Sequence, residues 1–342
     1  MYSVRSLLIF LAFTVAAAFP LRCEAGAPAA GFRVQGRLLT GPGGKEVRLR
    51  GFNVCWWVPP TRQDALGIKA MGANSVRYMF GYHPAGTFAP DQLDCIWKQV
   101  PLFTDAGLWV IPVVHDFRRD GQGPYDSPEL EREFLEMWTE IIARLKDNPR
   151  VIAWEPINEP HDTTDEKVAA WYARVIAHIR KLDPRRPIVV EGNGYSWPKN
   201  LVDSLKMEDP NILYAFHWYG PFEYTHRQLT PPAVYPGPWG RDWMAQQIDP
   251  AVRFREKYNV PVWCGEWGVM TACEGHPQWL ADTAAVLEER QFPWSHWAWA
   301  NKPGNSDDGS FDINPQKPEI YGVLQRIFLQ YNISKPSPSP HP

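Results

Sequence analysis

Two short stretches, far apart in the chain, hold the residues best suited to chemistry. "VIAWEPINEPH", 151–161, passes from apolar residues into Glu155, Asn158, Glu159 and His161, and Pro156 and Pro160 interrupt any regular element there. "VPVWCGEW", 260–267, ends in the same way on Glu266. Two carboxyl groups delivered by apolar runs can cleave a bond held between them if one is kept protonated and the other ionised, so their surroundings must differ. Arg77 in "ANSVRYM" is the cation that would keep one of them charged. A lone glutamate is usually a solvated surface residue. The pairing at the ends of two buried runs argues against that reading here.

Carboxylates can be aimed this way only by a repeating framework. Eight short apolar runs, "LRGFNV", "ANSVRYM", "LWVIPVVH", "VIAWEPIN", "PIVVEGN", "ILYAFHW", "VPVWCGEW" and "WSHWAW", alternate with amphipathic stretches such as "SPELEREFLEMWTEIIARLKD", "TDEKVAAWYARVIAHIRKLD" and "PKNLVDSLKM". Strands alternating with helices pair in parallel, and eight such units predict an α/β fold: a single (β/α)8 TIM barrel. A hairpin-like segment with a "GPGG" turn, "FRVQGRLLTGPGGKEVRL", precedes it as a short N-terminal β-hairpin. The alternative is an open doubly wound sheet, which would usually bring a glycine-rich phosphate loop, and none is present. In a barrel the carboxyl ends of the strands line the active-site mouth. Those ends carry Asn53 with Trp56 and Trp57, Arg77, His115, Asn158 with Glu159, Glu191 with Asn193, His217 with Tyr219, Glu266, and Trp297 with Trp299. Glu155 and Glu191 lie within strands and read as buried, paired supports.

The segments "INEP", 157–160, and "GEWG", 265–268, with "NSVRY", "VVHD", "AFHWYGP" and "WAWANK" in order, resemble glycoside hydrolase family 5, in the clan of retaining (β/α)8 glycosidases. The similarity runs from about Phe32 to Tyr331. The resemblance implies Glu159 as general acid/base and Glu266 as nucleophile. It implies Asn158 on the sugar 2-hydroxyl and Arg77 and Tyr219 on the nucleophile. His115 and His217 would surround the reacting sugar, and Trp299 would be the stacking platform of the eighth strand. Neither a metal nor another cofactor is expected: the histidines lack HExxH-type spacing, and the cysteines form no CxxC pair.

Composition bounds the partner. With 13% aromatic residues, including 17 Trp, the chain has either a large aromatic core or stacking surfaces for sugar rings. Trp56, Trp57, Trp197, Trp218, Trp239, Trp267 and Trp299 are the stacking candidates, which favours a β-linked polysaccharide or oligosaccharide. A net charge of −3 and a pI near 6.3 argue against nucleic acid. Because the segments resemble the endoglucanases of that family most, the resemblance implies cellulose-type β-1,4-glucan as the leading substrate, followed by β-mannan and β-1,3-glucan. A non-catalytic carbohydrate-binding barrel is the reading from another class, and the presence of both glutamates weighs against it. The aromatic and proline-rich stretch "YGPFEYTHRQLTPPAVYPGPWGRDW" is expected to wall the cleft.

Residues 1–25 read as a signal peptide with a basic start, an apolar run and small residues for cleavage near Ala18 or Ala25. Arg22 makes a lipid anchor on Cys23 a poor fit. The catalytic domain is expected over 32–331 and a Pro/Ser-rich disordered tail over 332–342, in a secreted monomer, extracellular or periplasmic, with no membrane span. Cys264 and Cys273 are candidates for a disulfide, and pairing among Cys55, Cys95, Cys264 and Cys273 is open.

Overall fold

A computed structural model describes residues 31–81, 91–299, 311, 313 and 318–333. The leader expected at 1–25 lies outside them. Of the tail expected at 332–342, the first two residues belong to the last helix and the rest lie outside the described residues.

The strands are β1 (Arg33–Gln35), β2 (Leu38–Thr40), β3 (Arg50–Cys55), β4 (Ser75–Phe80), β5 (Trp109–Val114), β6 (Ile188–Glu191), β7 (Ile212–Trp218), β8 (Val262–Trp267) and β9 (Trp294–Trp299). β1 and β2 form the expected hairpin, but it turns at Gly36 and Arg37, where Gly36 takes a φ of +56°. The "GPGG" segment instead makes a second turn that sets Thr40 against Glu46. The other seven strands run parallel in the order β5-β4-β3-β9-β8-β7-β6. Residues 151–155 join the two ends through single bridges, Val110 to Val151, Val113 to Glu155 and Trp154 to Ile188. The ring is thereby closed as a (β/α)8 barrel. The fourth strand is a row of bridges rather than a continuous ladder because Pro112 and Pro156 have no N–H to donate.

Inward side chains alternate along each strand and build layers. The floor is apolar: Leu49, Ile111, Ala153, Val189, Leu213, Ala215 and Trp263 pack with Phe32, Leu39 and Val47 from the hairpin segment. Burying one of these larger side chains contributes about 1.5–3 kcal/mol. Higher in the barrel, the strands present Asn53, Arg77, Glu155, Glu191 and His217, all at most 1% exposed. A polar layer at this depth persists only if its members satisfy one another.

Helices α1 (Arg62–Ala70), α2 (Asp91–Asp105), α3 (Pro128–Leu145), α4 (Asp165–Leu182), α5 (Phe222–Thr225), α6 (Arg241–Tyr258), α7 (His276–Glu289) and α8 (Pro318–Ile333) complete the described elements. Thr61, Ser127 and Thr164 cap the first turns of α1, α3 and α4 with their hydroxyls. The helix expected at "PKNLVDSLKM" is replaced by two 3₁₀ turns, Pro198–Asn200 and Asp203–Leu205. Ten residues are marginal for an α-helix. Here the turn also presses backbone to backbone on Gly192, where a β-carbon would sit 2.2 Å from Asn200 O.

Candidate active site

The polar layer is organised around Arg77. Its guanidinium donates through Nε to Glu155 Oε2 (2.9 Å), through Nη2 to Glu155 Oε1 (2.8 Å), Asn158 Oδ1 (2.8 Å) and Glu191 Oε1 (2.9 Å), and through Nη1 to Asn53 Oδ1 (3.1 Å) and Glu266 Oε1 (2.5 Å). Burial would lower its pKa, but Glu155, Glu191 and Glu266 outweigh that and hold it well above the ordinary value.

A bulge aims Glu266. Between β7 and β8 the register passes from Phe216 opposite Cys264 to His217 opposite Glu266, so β8 carries one extra residue. Trp263 therefore faces the barrel floor, and Glu266, which unbroken alternation would turn outward, faces the mouth. Gly265 fills the bulge, where a β-carbon would stand 3.0 Å from His217 Nε2. Tyr219 donates to Glu266 Oε2 at 2.6 Å, so both oxygens of this carboxyl are held.

Glu159 arrives from the loop after the fourth strand with a φ of +46°, the left-handed region that a side chain disfavours. Its N–H donates to Glu191 Oε2 at 2.7 Å, and its Oε1 lies 2.7 Å from His217 Nδ1. The same Nδ1 is 3.7 Å from Glu266 Oε2, and His217 Nε2 is 3.3 Å from Glu191 Oε1. Burial alone would discharge His217, but Glu266 and Glu191, with the bond to Glu159, outweigh it and raise its pKa well above the ordinary value. Burial likewise pushes Glu191 upward, and the charges of His217 and Arg77 reverse this and hold it well below the carboxylate range. The nearest side-chain ligand atoms of Glu159, His217 and Glu266 lie within 4.8 Å of one another. This trio is the group with metal-ligand spacing among the described residues.

Above the trio opens a cleft of about 590 Å³, with Asn158, His115, Tyr195, Trp197, Lys199, Phe222, His226, Trp297 and Phe311 on its walls. With Asn158 Oδ1 taken by Arg77, its Nδ2 is left to donate toward the cleft. His115 lies edge-on to Trp57 at 4.9 Å, and burial lowers its pKa. Of the expected wall segment after β7, Tyr219, Phe222 and His226 reach the cleft, whereas Tyr224 and Tyr235 are buried beneath it.

The structure corrects one expected site residue. Trp299 faces the helical layer: its Nε1 donates to Asp64 at 3.1 Å, and its ring packs on Phe52 and Tyr321. Trp297 lines the cleft instead, tilted against Trp57 at 6.5 Å. Phe52 pairs with His296 and Val54 with Trp299, so a second bulge puts three residues of β9 against two of β3. The two indoles consequently fall on opposite sides of the sheet. Trp218 and Trp267 are also buried outward, in the main core, and offer no ring to a ligand. Tyr195 was missed as a wall residue because nothing in its local pattern separates it from other loop aromatics. Cys264 and Cys273 are free thiols. Cys264 donates to Glu266 O and Cys273 to Tyr224 O, so the candidate disulfide is absent.

A family model described as "Cellulase (glycosyl hydrolase family 5)" matches residues 41–303. The chain belongs to this family. It is a glycoside hydrolase. Proteins similar to it include Endoglucanase C of Acetivibrio thermocellus, 23% identical over 315 residues, with 78% of this chain and 91% of the relative covered. Among solved structures, the cellulose synthase subunit Z of Clostridioides difficile superposes with a TM-score of 0.68 at 22% identity, covering 81% of this chain and 99% of that one. Cel5A of Thermotoga maritima in complex with mannotriose gives 0.68 at 18% identity, covering 81% and 97%. At these identities the superpositions speak for the shared fold.

Proposed function

We propose that this glycoside hydrolase is a secreted, retaining endo-β-1,4-glucanase that works by double displacement. The observation that carries the reading is the close approach of Glu159 and Glu266, whose nearest oxygens lie within 4.8 Å beneath an open cleft. Retaining pairs are about 5–5.5 Å apart and inverting pairs about 6.5–9.5 Å, because the latter leave room for a water.

In this reading Glu266 is the nucleophile. Arg77 and Tyr219 bond both its oxygens, which stabilises the anion and aims it at the anomeric carbon. Glu159 protonates the departing oxygen and then, as base, activates the water that cleaves the glycosyl-enzyme. Asn158 Nδ2 is the donor to the sugar 2-hydroxyl, and Trp57, itself packed on His115, stands beside Trp297, the stacking face. The endoglucanase names of the relatives favour β-1,4-glucan. The mannotriose bound by a structural relative makes β-mannan the second reading. Among the described residues no helix is long and apolar enough to cross a membrane. Secretion rests on the leader-like residues 1–25.

Reducing-sugar release should be measured on carboxymethylcellulose, glucomannan, galactomannan, laminarin and xylan, with viscosity as the gauge of internal cleavage. The expected result is highest activity on carboxymethylcellulose with an early fall in viscosity. Proton NMR of the first product should show the β-anomer before mutarotation. An initial α-anomer would exclude double displacement, and highest activity on galactomannan would transfer the assignment to β-mannan.

A further inference from the structure

Behind the cleft wall the chain enters the left-handed region three times in succession, at Gly194 (φ +82°), Tyr195 (+64°) and Ser196 (+54°). Two of these residues bear β-carbons, so neighbouring groups must hold the conformation. Pro160 O accepts from the N–H groups of Gly194 and Tyr195, and Ser196 O accepts from His217 N–H at 2.7 Å. The hydroxyl of Ser196 donates to Glu191 Oε2 at 2.6 Å. That same oxygen accepts the N–H of Glu159, the other left-handed residue at the site, at 2.7 Å.

Two strained turns thus meet on one oxygen of a carboxylate that no ligand can touch, since Glu191 is 0% exposed. One turn carries Glu159. The other carries Tyr195, 48% exposed and stacked on His161 at 4.3 Å, and leads into Trp197. We propose that Glu191 is a positioning residue that sets the carboxyl of Glu159 and the Tyr195–Trp197 wall as a single unit. The inference rests on the reading of Glu159 as acid/base.

The competing account is that Glu191 only neutralises Arg77 Nη2 and His217, through Oε1. Under that account the bonds on Oε2 are incidental, and loss of the Ser196 hydroxyl should matter little. Under ours, Ser196→Ala removes one of the two donors while leaving every charge in place. The turn then relaxes and the acid drifts from the leaving oxygen, where small misplacements are costly.

The test compares an unactivated oligosaccharide with the 2,4-dinitrophenyl glycoside of the preferred disaccharide, whose leaving group needs no proton. For Ser196→Ala we expect kcat/KM on the oligosaccharide to fall about tenfold and on the aryl glycoside less than about twofold. Glu191→Gln should show the same split with a larger fall, because an amide cannot accept on both oxygens. Glu159→Ala is the benchmark for the split. If Glu191→Gln does not fold, Ser196→Ala decides alone. Equal losses on the two substrates, or an unchanged Ser196→Ala enzyme, would overturn the positioning role. Absence of a split in Glu159→Ala itself would overturn the acid/base reading and this inference with it.

Discussion

Arg77 donates to Glu266 at 2.5 Å while the other arms of its guanidinium hold Glu155, Glu191 and Asn158. A planar fork can serve four directions at once, and an ammonium cannot. Arg77→Lys keeps the charge and loses the geometry, so kcat/KM should fall at least about a hundredfold in an enzyme that still folds. Arg77→Met leaves three buried carboxyl groups without their cation and should cost about 3–5 kcal/mol of stability. Thermal melts and steady-state kinetics on the two variants check this. A Lys variant with near wild-type turnover would reduce Arg77 to a counter-charge.

The two central glutamates should respond differently to truncation. Glu266→Gln should abolish turnover, because an amide cannot form the glycosyl-enzyme. Glu159→Ala should retain activity on aryl glycosides with activated leaving groups, and added azide should restore deglycosylation and yield a β-glycosyl azide. Equal loss in both variants, with no azide product, would reject the division of roles.

Much of this site was legible in the sequence because its residues close apolar runs that must be strands. His115, Asn158, Glu159, His217, Tyr219 and Glu266 sit where strand-end placement puts them, around one mouth, while Arg77 lies within β4 and reaches Glu266 and Asn158 from beneath. What was not legible turns on local departures from alternation. The bulge at Gly265 turns Glu266 inward, and the bulge in β9 sends Trp297 and Trp299 to opposite faces. A period-two pattern cannot register an inserted residue. The double duty of Glu191 depends on two loops from different strands meeting on one oxygen, a contact no single segment encodes.

Correction of the tryptophans leads to a contrast. Trp299 is 3% exposed within the helical layer, so Trp299→Ala should cost about 3–5 kcal/mol of stability and, below its melting temperature, change kcat/KM by less than about threefold. Trp297→Ala removes a face from the cleft and should lower kcat/KM at least about tenfold. Melting temperatures and kinetics on both variants decide the matter. The reverse pattern, with activity lost only at position 299, would return the platform to the residue first expected.

Stability should also carry a signature of the buried imidazoles. His296 has no hydrogen-bond partner on either ring nitrogen among the described residues, and Phe52 and Trp267 meet it edge-on. Burial lowers its pKa to about 3, so between that value and about 6.5 the unfolded chain binds a proton that the native state refuses. Stability must then fall as pH drops through this window, by on the order of 2 kcal/mol from pH 7 to pH 5. His217 acts with the opposite sign. Its folded pKa is raised, so its contribution is complete below the unfolded value and is lost as pH rises through the folded one. His296→Phe keeps a ring in the same space and removes two unsatisfied nitrogens, so the variant should be at least as stable at pH 7. Its melting temperature should decline less than that of the wild type between pH 7 and pH 5, while the alkaline decline is unchanged. His115, also lowered by burial, is present in both proteins and cancels in the comparison. Parallel acidic limbs for the two proteins would show that His296 is protonated, or reached by water, in the folded state.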